Sequence, residues 1–184
     1  MYYDLEKIKN QFPALNRNVW DKPLIYLDSA ASMQKPQKVL DAINKNYSFN
    51  YSNVHRGLHK LSEEATSNYE GARQKIAKFI NCDEKEVVFT SGATSAINLV
   101  AYSWGLKNIS AGDEIIITIA EHHANIVPWQ LIAQQKGAKI IAAQVNPDED
   151  FDEEIIKKLV TDKTKIIAFP HVSNVLGTVF PVKK

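Results

Sequence analysis

The sequence predicts an α/β fold in which a mostly parallel sheet is sandwiched by helices. Four short apolar stretches rich in β-branched residues have the length of buried strands, at 86–90, 114–119, 138–145 and 165–169. Helical patterns alternate with these stretches, as parallel sheets require. The chain has 184 residues, of which 45% are hydrophobic and 23% charged, which is typical of a globular domain with its own core.

Helices dominate the first eighty residues. Asp4 is placed to cap a helix near 4–11, and Pro36 is placed in the first turn of a helix over 36–47. A longer amphipathic helix follows a polar loop. It is predicted by apolar side chains spaced three and four residues apart: Leu61, Ala65, Tyr69, Ala72, Ile76 and Phe79.

Helices also separate the predicted strands. Their patterns cover residues 93–104, 126–136 and 152–160, and Gly137 is placed to end the second of them. Open parallel sheets bind ligands beyond the carboxyl ends of their strands. The residues that follow the strands are therefore the candidate functional residues.

The first such segment is Thr90-Ser91-Gly92-Ala93-Thr94, which passes directly into a helix. Free N–H groups and the helix dipole favour an anion there, and Ser91 or Thr94 can add a hydroxyl. The segment is neither a Walker loop nor a GxGxxG fingerprint. A phosphate cradle and an ordinary strand–turn–helix connection both remain open.

The second segment is Glu121-His122-His123-Ala124-Asn125. His122 is the better placed of the two histidines to face the crevice, where it can stack on a planar ring or move a proton. A zinc site and a helix-capping histidine pair are the alternatives, although no metal-ligand spacing is present and we predict no metal.

The third segment contains Asn174, whose amide can donate or accept a hydrogen bond. A turn before Gly177 is the alternative for Asn174. A phosphate-binding set, an aromatic base and an amide along one sheet edge together suit a planar phosphorylated ligand.

Composition excludes several classes of function. Lys and Arg number 22 and Asp and Glu 21, a balance without the positive charge of a nucleic-acid or membrane-surface protein. One cysteine excludes an internal disulfide and a cysteine-rich metal site. No apolar run approaches about 18 residues, and the N-terminus lacks a signal-peptide pattern, so we expect a cytoplasmic protein without a membrane anchor.

Longer runs of residues carry a family resemblance. They are YLDSAAS at 26–32, NVHRGLH at 53–59, FTSGAT at 89–94, EHHANIVPWQ at 121–130 and HVSNVLGT at 171–178. The chain resembles the N-terminal half of fold-type I enzymes that depend on pyridoxal 5'-phosphate (PLP), within the class V aminotransferase family. Among these it is most similar to SUF-type (group II) cysteine desulfurases.

The resemblance implies a cofactor site. Ala93 and Thr94 would contact the PLP phosphate. His122 would stack on the pyridine ring and act as the catalytic proton carrier. Asn174 would bind the ring's phenolic oxygen and lie near the substrate carboxylate.

The resemblance also implies roles for the first part of the chain. Ala30 and Ala31 would be the small residues beside the substrate carboxylate, and His55 and Arg56 would reach the partner subunit's active site in a homodimer. Residues 1–50 would be an N-terminal helical segment belonging to the small domain. Residues 51–184 would be a partial PLP-dependent transferase large domain.

The implied function is conversion of L-cysteine to L-alanine plus an enzyme persulfide, for iron–sulfur cluster assembly, with a sulfur-acceptor protein of the SUF system as partner. The family's PLP-binding lysine and nucleophilic cysteine lie in motifs absent from this sequence. Cys82 does not match the family's nucleophile and is interpreted as structural. We therefore expect no activity from this chain alone.

Two alternatives to a desulfurase stay open. One is another class V PLP enzyme, such as a selenocysteine lyase, a kynureninase or an aminotransferase. The other is a non-catalytic product of a split or decayed gene.

Overall fold

The computed structural model describes residues 3–145 and 153–182; of residue 153, the first of α7 (Glu153–Leu159), it describes the backbone. The chain forms two compact units, divided between Val88 and Phe89. Among the described residues, no helix has both the length and the apolar character needed to cross a bilayer.

The first unit is mostly helical. Asp4 caps its first helix as predicted, because the Asp4 carboxylate accepts from the backbone N–H of Lys7 at 3.0 Å. Pro36 immediately precedes the second helix. The elements are α1 (Leu5–Lys9), a 3-10 turn (Pro13–Asn16), β1 (Asn18–Val19), β2 (Lys22–Pro23), α2 (Gln37–Lys45), a π turn (Asn46–Asn50), α3 (Lys60–Ile80) and a 3-10 turn (Glu84–Glu86).

The predicted strand at 86–90 is wrong. Glu86 ends a 3-10 turn, and the residues after it are irregular. A strand needs a neighbour that takes up its backbone hydrogen bonds. In the structure, the carbonyl of Val87 accepts instead from the Arg73 guanidinium.

The second unit contains a three-stranded parallel sheet in the order β4-β3-β5, which confirms the predicted α/β class. The described elements are α4 (Ala93–Val100), a π turn (Ala101–Gly105), α5 (Leu106–Asn108), β3 (Glu114–Thr118), a 3-10 turn (His123–Asn125), α6 (Val127–Lys136), β4 (Lys139–Ala143), α7 (Glu153–Leu159) and β5 (Thr164–Ala168). The predicted helix over 93–104 is therefore α4 and the π turn.

The core of the second unit lies against β3. Ile115 and Ile117 point to the same face of this central strand and pack in one cluster with Trp129 and Ile132 of α6. Gly137 ends α6 as predicted, with a φ of 72° that favours glycine. Because both neighbours of β3 run parallel to it, all three strands end at the same edge of the sheet.

Candidate functional site

A cleft lies beyond the carboxyl end of β3. It has a volume of about 230 Å³. Its lining residues are Ile119, Ala120, Glu121, Val145, Val175 and Leu176. The structure thus brings the segment after β3 together with the loop that follows β5, as expected for a ligand site in an open parallel sheet.

His122 begins the turn that follows this strand end. Its Nδ1 accepts the backbone N–H of Ala124 at 3.0 Å, so the ring caps the His123–Asn125 turn. A nitrogen that accepts a hydrogen bond carries no proton, which places the proton of the neutral ring on Nε2. The ring is exposed and lies nearly perpendicular to that of His123, at 88°. His122 is therefore both a cap and an imidazole available to a ligand.

Glu121 holds this segment in place. Its carboxylate accepts from the backbone N–H of His122 at 2.9 Å and from the side-chain amide of Asn125 at 2.7 Å. Asn125 in turn accepts from the indole N–H of Trp129 at 2.9 Å. This chain of hydrogen bonds connects His122 to the buried core. The sequence drew attention to this segment without predicting the role of Glu121.

Asn174 lies in an exposed turn that is organised by Ser173, a residue the sequence analysis missed. The buried Ser173 hydroxyl donates to the carbonyl of Ala120 at 3.3 Å, and the same oxygen accepts from the N–H of Leu176 at 3.2 Å. A serine that accepts from the N–H three residues later is a known turn signal and could have been recognised. The Ser173 link brings the Asn174 turn to the end of β3.

Ala93 and Thr94 are the first two residues of α4, so their N–H groups have no acceptor within the helix. Among the residues that the structure describes, no side chain caps this end. A Cβ atom placed on Gly92 would meet no heavy atom of the described residues within 4 Å, so these residues leave the space beside the helix terminus open. Free N–H donors, a helix dipole and open space fit the phosphate of PLP.

The helix that starts at Ala93 packs against the His123–Asn125 turn. This packing and the Ser173 link connect the three elements that carry Thr94, His122 and Asn174. The described lining of the cleft includes their neighbours Glu121 and Val175 but not Thr94, His122 or Asn174. An anion site, an imidazole and an amide are the groups that would hold a planar phosphorylated ring and assist proton transfer at its substituent.

Ala30 and Ala31 belong to the first unit, where they form a tight turn. The N–H groups of Ala31 and Ser32 both donate to the carbonyl of Asp28, at 3.2 and 3.0 Å. The Tyr26 hydroxyl donates to the carbonyl of Ser32 across the same turn. Both alanines are exposed, so their small side chains leave backbone accessible.

His55 and Arg56 also lie in the first unit, in the loop before α3. His55 has a φ of 66°, and its ring nitrogen Nε2 lies 2.9 Å from a carboxylate oxygen of Glu70. The Arg56 side chain is exposed and makes no hydrogen bond or ion pair within the described parts of the chain.

Cys82 is half-buried just beyond the end of α3. Partial burial, and then the carboxylates of Glu86 and Asp83, raise the pKa of the Cys82 thiol. A raised pKa leaves less thiolate, which is the opposite of what a nucleophile needs. This is consistent with a structural role.

Comparison with known proteins supports one family. The model of the family described as "Aminotransferase class-V" matches residues 25–184. A cysteine desulfurase of Salmonella newport is 49% identical over 183 residues, which are 99% of this chain and 45% of that protein.

Solved structures agree with the sequence comparison. The cysteine desulfurase CsdA from Escherichia coli matches with a TM-score of 0.81 and 38% identity, over 98% of this chain and 44% of that one. The apo cysteine desulfurase from Thermococcus onnurineus NA1 matches with a TM-score of 0.87 and 34% identity, over 97% and 42%. The chain thus spans less than half the length of the relatives described here.

Proposed function

The chain belongs to the aminotransferase class-V family, and from this premise we propose that it is the N-terminal part of a PLP-dependent cysteine desulfurase. In this proposal the whole protein converts L-cysteine to L-alanine and keeps the sulfur as an enzyme persulfide. The observation that supports the proposal is the uncapped N-terminus of α4, a helix that packs against the turn begun by His122.

The residues of this chain would hold the cofactor by non-covalent contacts and would not form the covalent bond to it. The N–H groups of Ala93 and Thr94, with the Thr94 hydroxyl, would bind the phosphate. The exposed ring of His122 would stack on the pyridine, with its Nε2 free to give or take a proton near the substrate. Asn174 would donate to the phenolic oxygen. When bound, PLP supplies an electron sink for negative charge at the substrate α-carbon.

The family resemblance also suggests roles for residues of the first unit. Ala30 and Ala31 would lie beside the substrate carboxylate, where the exposed turn at Asp28 leaves room for it. His55 and Arg56 would enter the partner subunit's site in a homodimer. Residues 1–50 would form part of a small domain, and 51–184 part of the PLP-binding large domain.

The proposal includes a cellular role. The persulfide would pass to a sulfur-acceptor protein of the SUF type and serve iron–sulfur cluster assembly in the cytoplasm. The named desulfurases that match 97–99% of this chain support the reaction. The acceptor, the cluster assembly and the compartment are inferred from the family resemblance.

The decisive experiment uses the protein as its own host expresses it. We expect an absorbance band of bound PLP, and equal amounts of alanine and persulfide sulfur from L-cysteine. Thr94→Val, which keeps the shape but removes the hydroxyl, should weaken PLP binding about tenfold. Three results would replace the desulfurase assignment with another reaction: release of pyruvate from L-cysteine, turnover of kynurenine, or turnover of selenocysteine without turnover of cysteine.

A further inference from the structure

The loop that carries His55 and Arg56 has a backbone conformation that needs support. His55 has a φ of 66°, in the left-handed region that side chains other than glycine seldom adopt. Such a conformation persists only where the surroundings determine it several times over. Arg56 follows directly, and Leu58 at the same loop tip is fully exposed.

Backbone contacts with α3 supply part of that support. The His55 N–H donates to the Thr66 hydroxyl at 2.9 Å. The buried Ser62 hydroxyl accepts from the N–H of Gly57 at 2.9 Å and donates to the carbonyl of Asn53 at 2.6 Å. A Cβ at position 57 would lie 2.5 Å from that of Ser62, so this close approach requires glycine.

Glu70 supplies the rest through its side chain. One carboxylate oxygen lies 2.9 Å from Nε2 of His55, and the other accepts from Nε of Arg73 at 2.9 Å. The Glu70 side chain is 32% exposed and that of Arg73 is 19% exposed, so both bonds are partly shielded from water. Glu70 thus joins the loop to this shielded guanidinium through hydrogen bonds at both of its carboxylate oxygens.

Arg73 is itself held in place. Its guanidinium donates to the carbonyl of Val87 and lies over the ring of Tyr69, 5.2 Å from the centroid. The Tyr69 ring meets the His55 ring edge to face, with centroids 5.8 Å apart. The His55 ring therefore contacts a set of side chains that hold one another in place, namely Arg73, Tyr69 and Glu70.

We propose that Glu70 is a positioning residue, which, fixed by Arg73, holds the His55–Arg56 loop in the strained conformation that presents Arg56 for catalysis. The role of Arg56 rests on the proposed function, in which this loop serves the partner subunit's site. Glu70 itself touches neither substrate nor cofactor. Its effect passes through His55.

The test compares Glu70→Gln with Glu64→Gln in the full-length protein. Glu64 lies on the same helix and pairs only with Lys60, at 3.6 Å, among the contacts described for it. We expect Glu70→Gln to speed amide hydrogen exchange of residues 53–58 about tenfold, without a change in the melting temperature. The kcat/KM for L-cysteine should fall about tenfold, and Glu64→Gln should leave both readouts at wild-type values.

A double-mutant cycle identifies the route. His55→Gln changes a half-exposed side chain and leaves α3 intact, so it remains informative if Glu70→Gln destabilises the protein. If Glu70 acts through His55, adding Glu70→Gln to His55→Gln produces no further loss. Additive losses, exchange equal to that of Glu64→Gln, or faster exchange with unchanged kcat/KM would each overturn the proposal.

Failure of the proposed function would look different. A wild-type protein without cysteine turnover, in which Glu70→Gln still loosens residues 53–58, would refute the desulfurase assignment. The same result would support Glu70 as the residue that orders this loop.

Discussion

The hydroxyl of Ser173 donates to the backbone carbonyl of Ala120 at 3.3 Å, across 53 positions of sequence. Ala120 is two residues before His122, and Ser173 is one residue before Asn174. This hydrogen bond therefore connects two loops, each of which carries a candidate cofactor-binding side chain. Both residues are buried, so water does not readily take the place of the Ser173 hydroxyl when the hydrogen bond is lost.

Replacing Ser173 with alanine should loosen the Asn174 turn. The Ala120 carbonyl and the N–H of Leu176 both lose a partner, which we expect to cost about 1–2 kcal/mol of unfolding free energy. Urea denaturation measures this loss, and hydrogen exchange at Leu176 should accelerate. Ser103→Ala is the matched control, because the one hydrogen bond described for the Ser103 hydroxyl is an exposed bond to the Leu99 carbonyl. Equal losses in both variants would contradict the role of Ser173.

Two substitutions separate the capping and ring functions of His122. His122→Asn keeps a good cap for the His123–Asn125 turn but removes the ring. It should leave stability near wild type and weaken PLP binding. His122→Phe keeps an aromatic face but removes the cap, and should cost about 1 kcal/mol of unfolding free energy while retaining cofactor. Thermal melts and PLP titration of the full-length protein measure both effects.

The two variants also predict a difference in turnover. Because phenylalanine cannot carry a proton, His122→Phe should lower kcat even with cofactor bound. Cofactor affinity that falls equally in both variants, or a His122→Phe protein with wild-type kcat, would show that stacking and proton transfer are wrongly assigned to this ring.

Cys82 should react slowly with iodoacetamide at pH 8. Its pKa is raised by partial burial and by the carboxylates of Glu86 and Asp83, so less thiolate is present at that pH and the rate rises only in more alkaline solution. Glu86→Gln removes one charge, while glutamine can still form the capping box with Asp83. It should lower the Cys82 pKa and speed alkylation about twofold.

Glu84→Gln is the control for this measurement, since Glu84 lies in the same 3-10 turn and is not among the causes of the Cys82 shift. Alkylation that is faster than that of a free cysteine peptide, or equally fast in both variants, would contradict the electrostatic explanation.

The 184-residue polypeptide by itself should release neither alanine nor persulfide from L-cysteine. The motif that carries the family's PLP-binding lysine is absent from this sequence, and its one cysteine has a raised pKa. Mass-spectrometric detection of alanine against a boiled control measures this. Turnover by the isolated polypeptide would show that a residue of this chain replaces the expected lysine.

Local sequence signals predicted several elements well. Apolar spacings of three and four in the Leu61–Phe79 region predicted α3, and the β-branched run at Ile115–Ile117 predicted the central strand. Asp4 and Gly137 marked a helix start and a helix end. These signals work because capping, periodicity and left-handed glycines depend on residues within a turn or two.

The errors and omissions share a different cause. The segment 86–90 has the composition of a strand, yet the Val87 carbonyl bonds to Arg73 rather than to a neighbouring strand. The bond of Ser173 to the Leu176 N–H is local and has a sequence signal, but its bond to Ala120 spans 53 positions, and the contact of Glu70 with His55 spans 15. No local pattern reports such pairings.

The sequence by itself determined the α/β class, most helices, the family, and the candidate residues Thr94, His122 and Asn174. Only the tertiary structure decided the strand order β4-β3-β5, the Ser173–Ala120 hydrogen bond and the contact between Glu70 and His55. The physical reason is the range of the interactions. Caps and periodic faces are set by neighbouring residues, whereas strand order and buried hydrogen bonds form only once distant segments pack together.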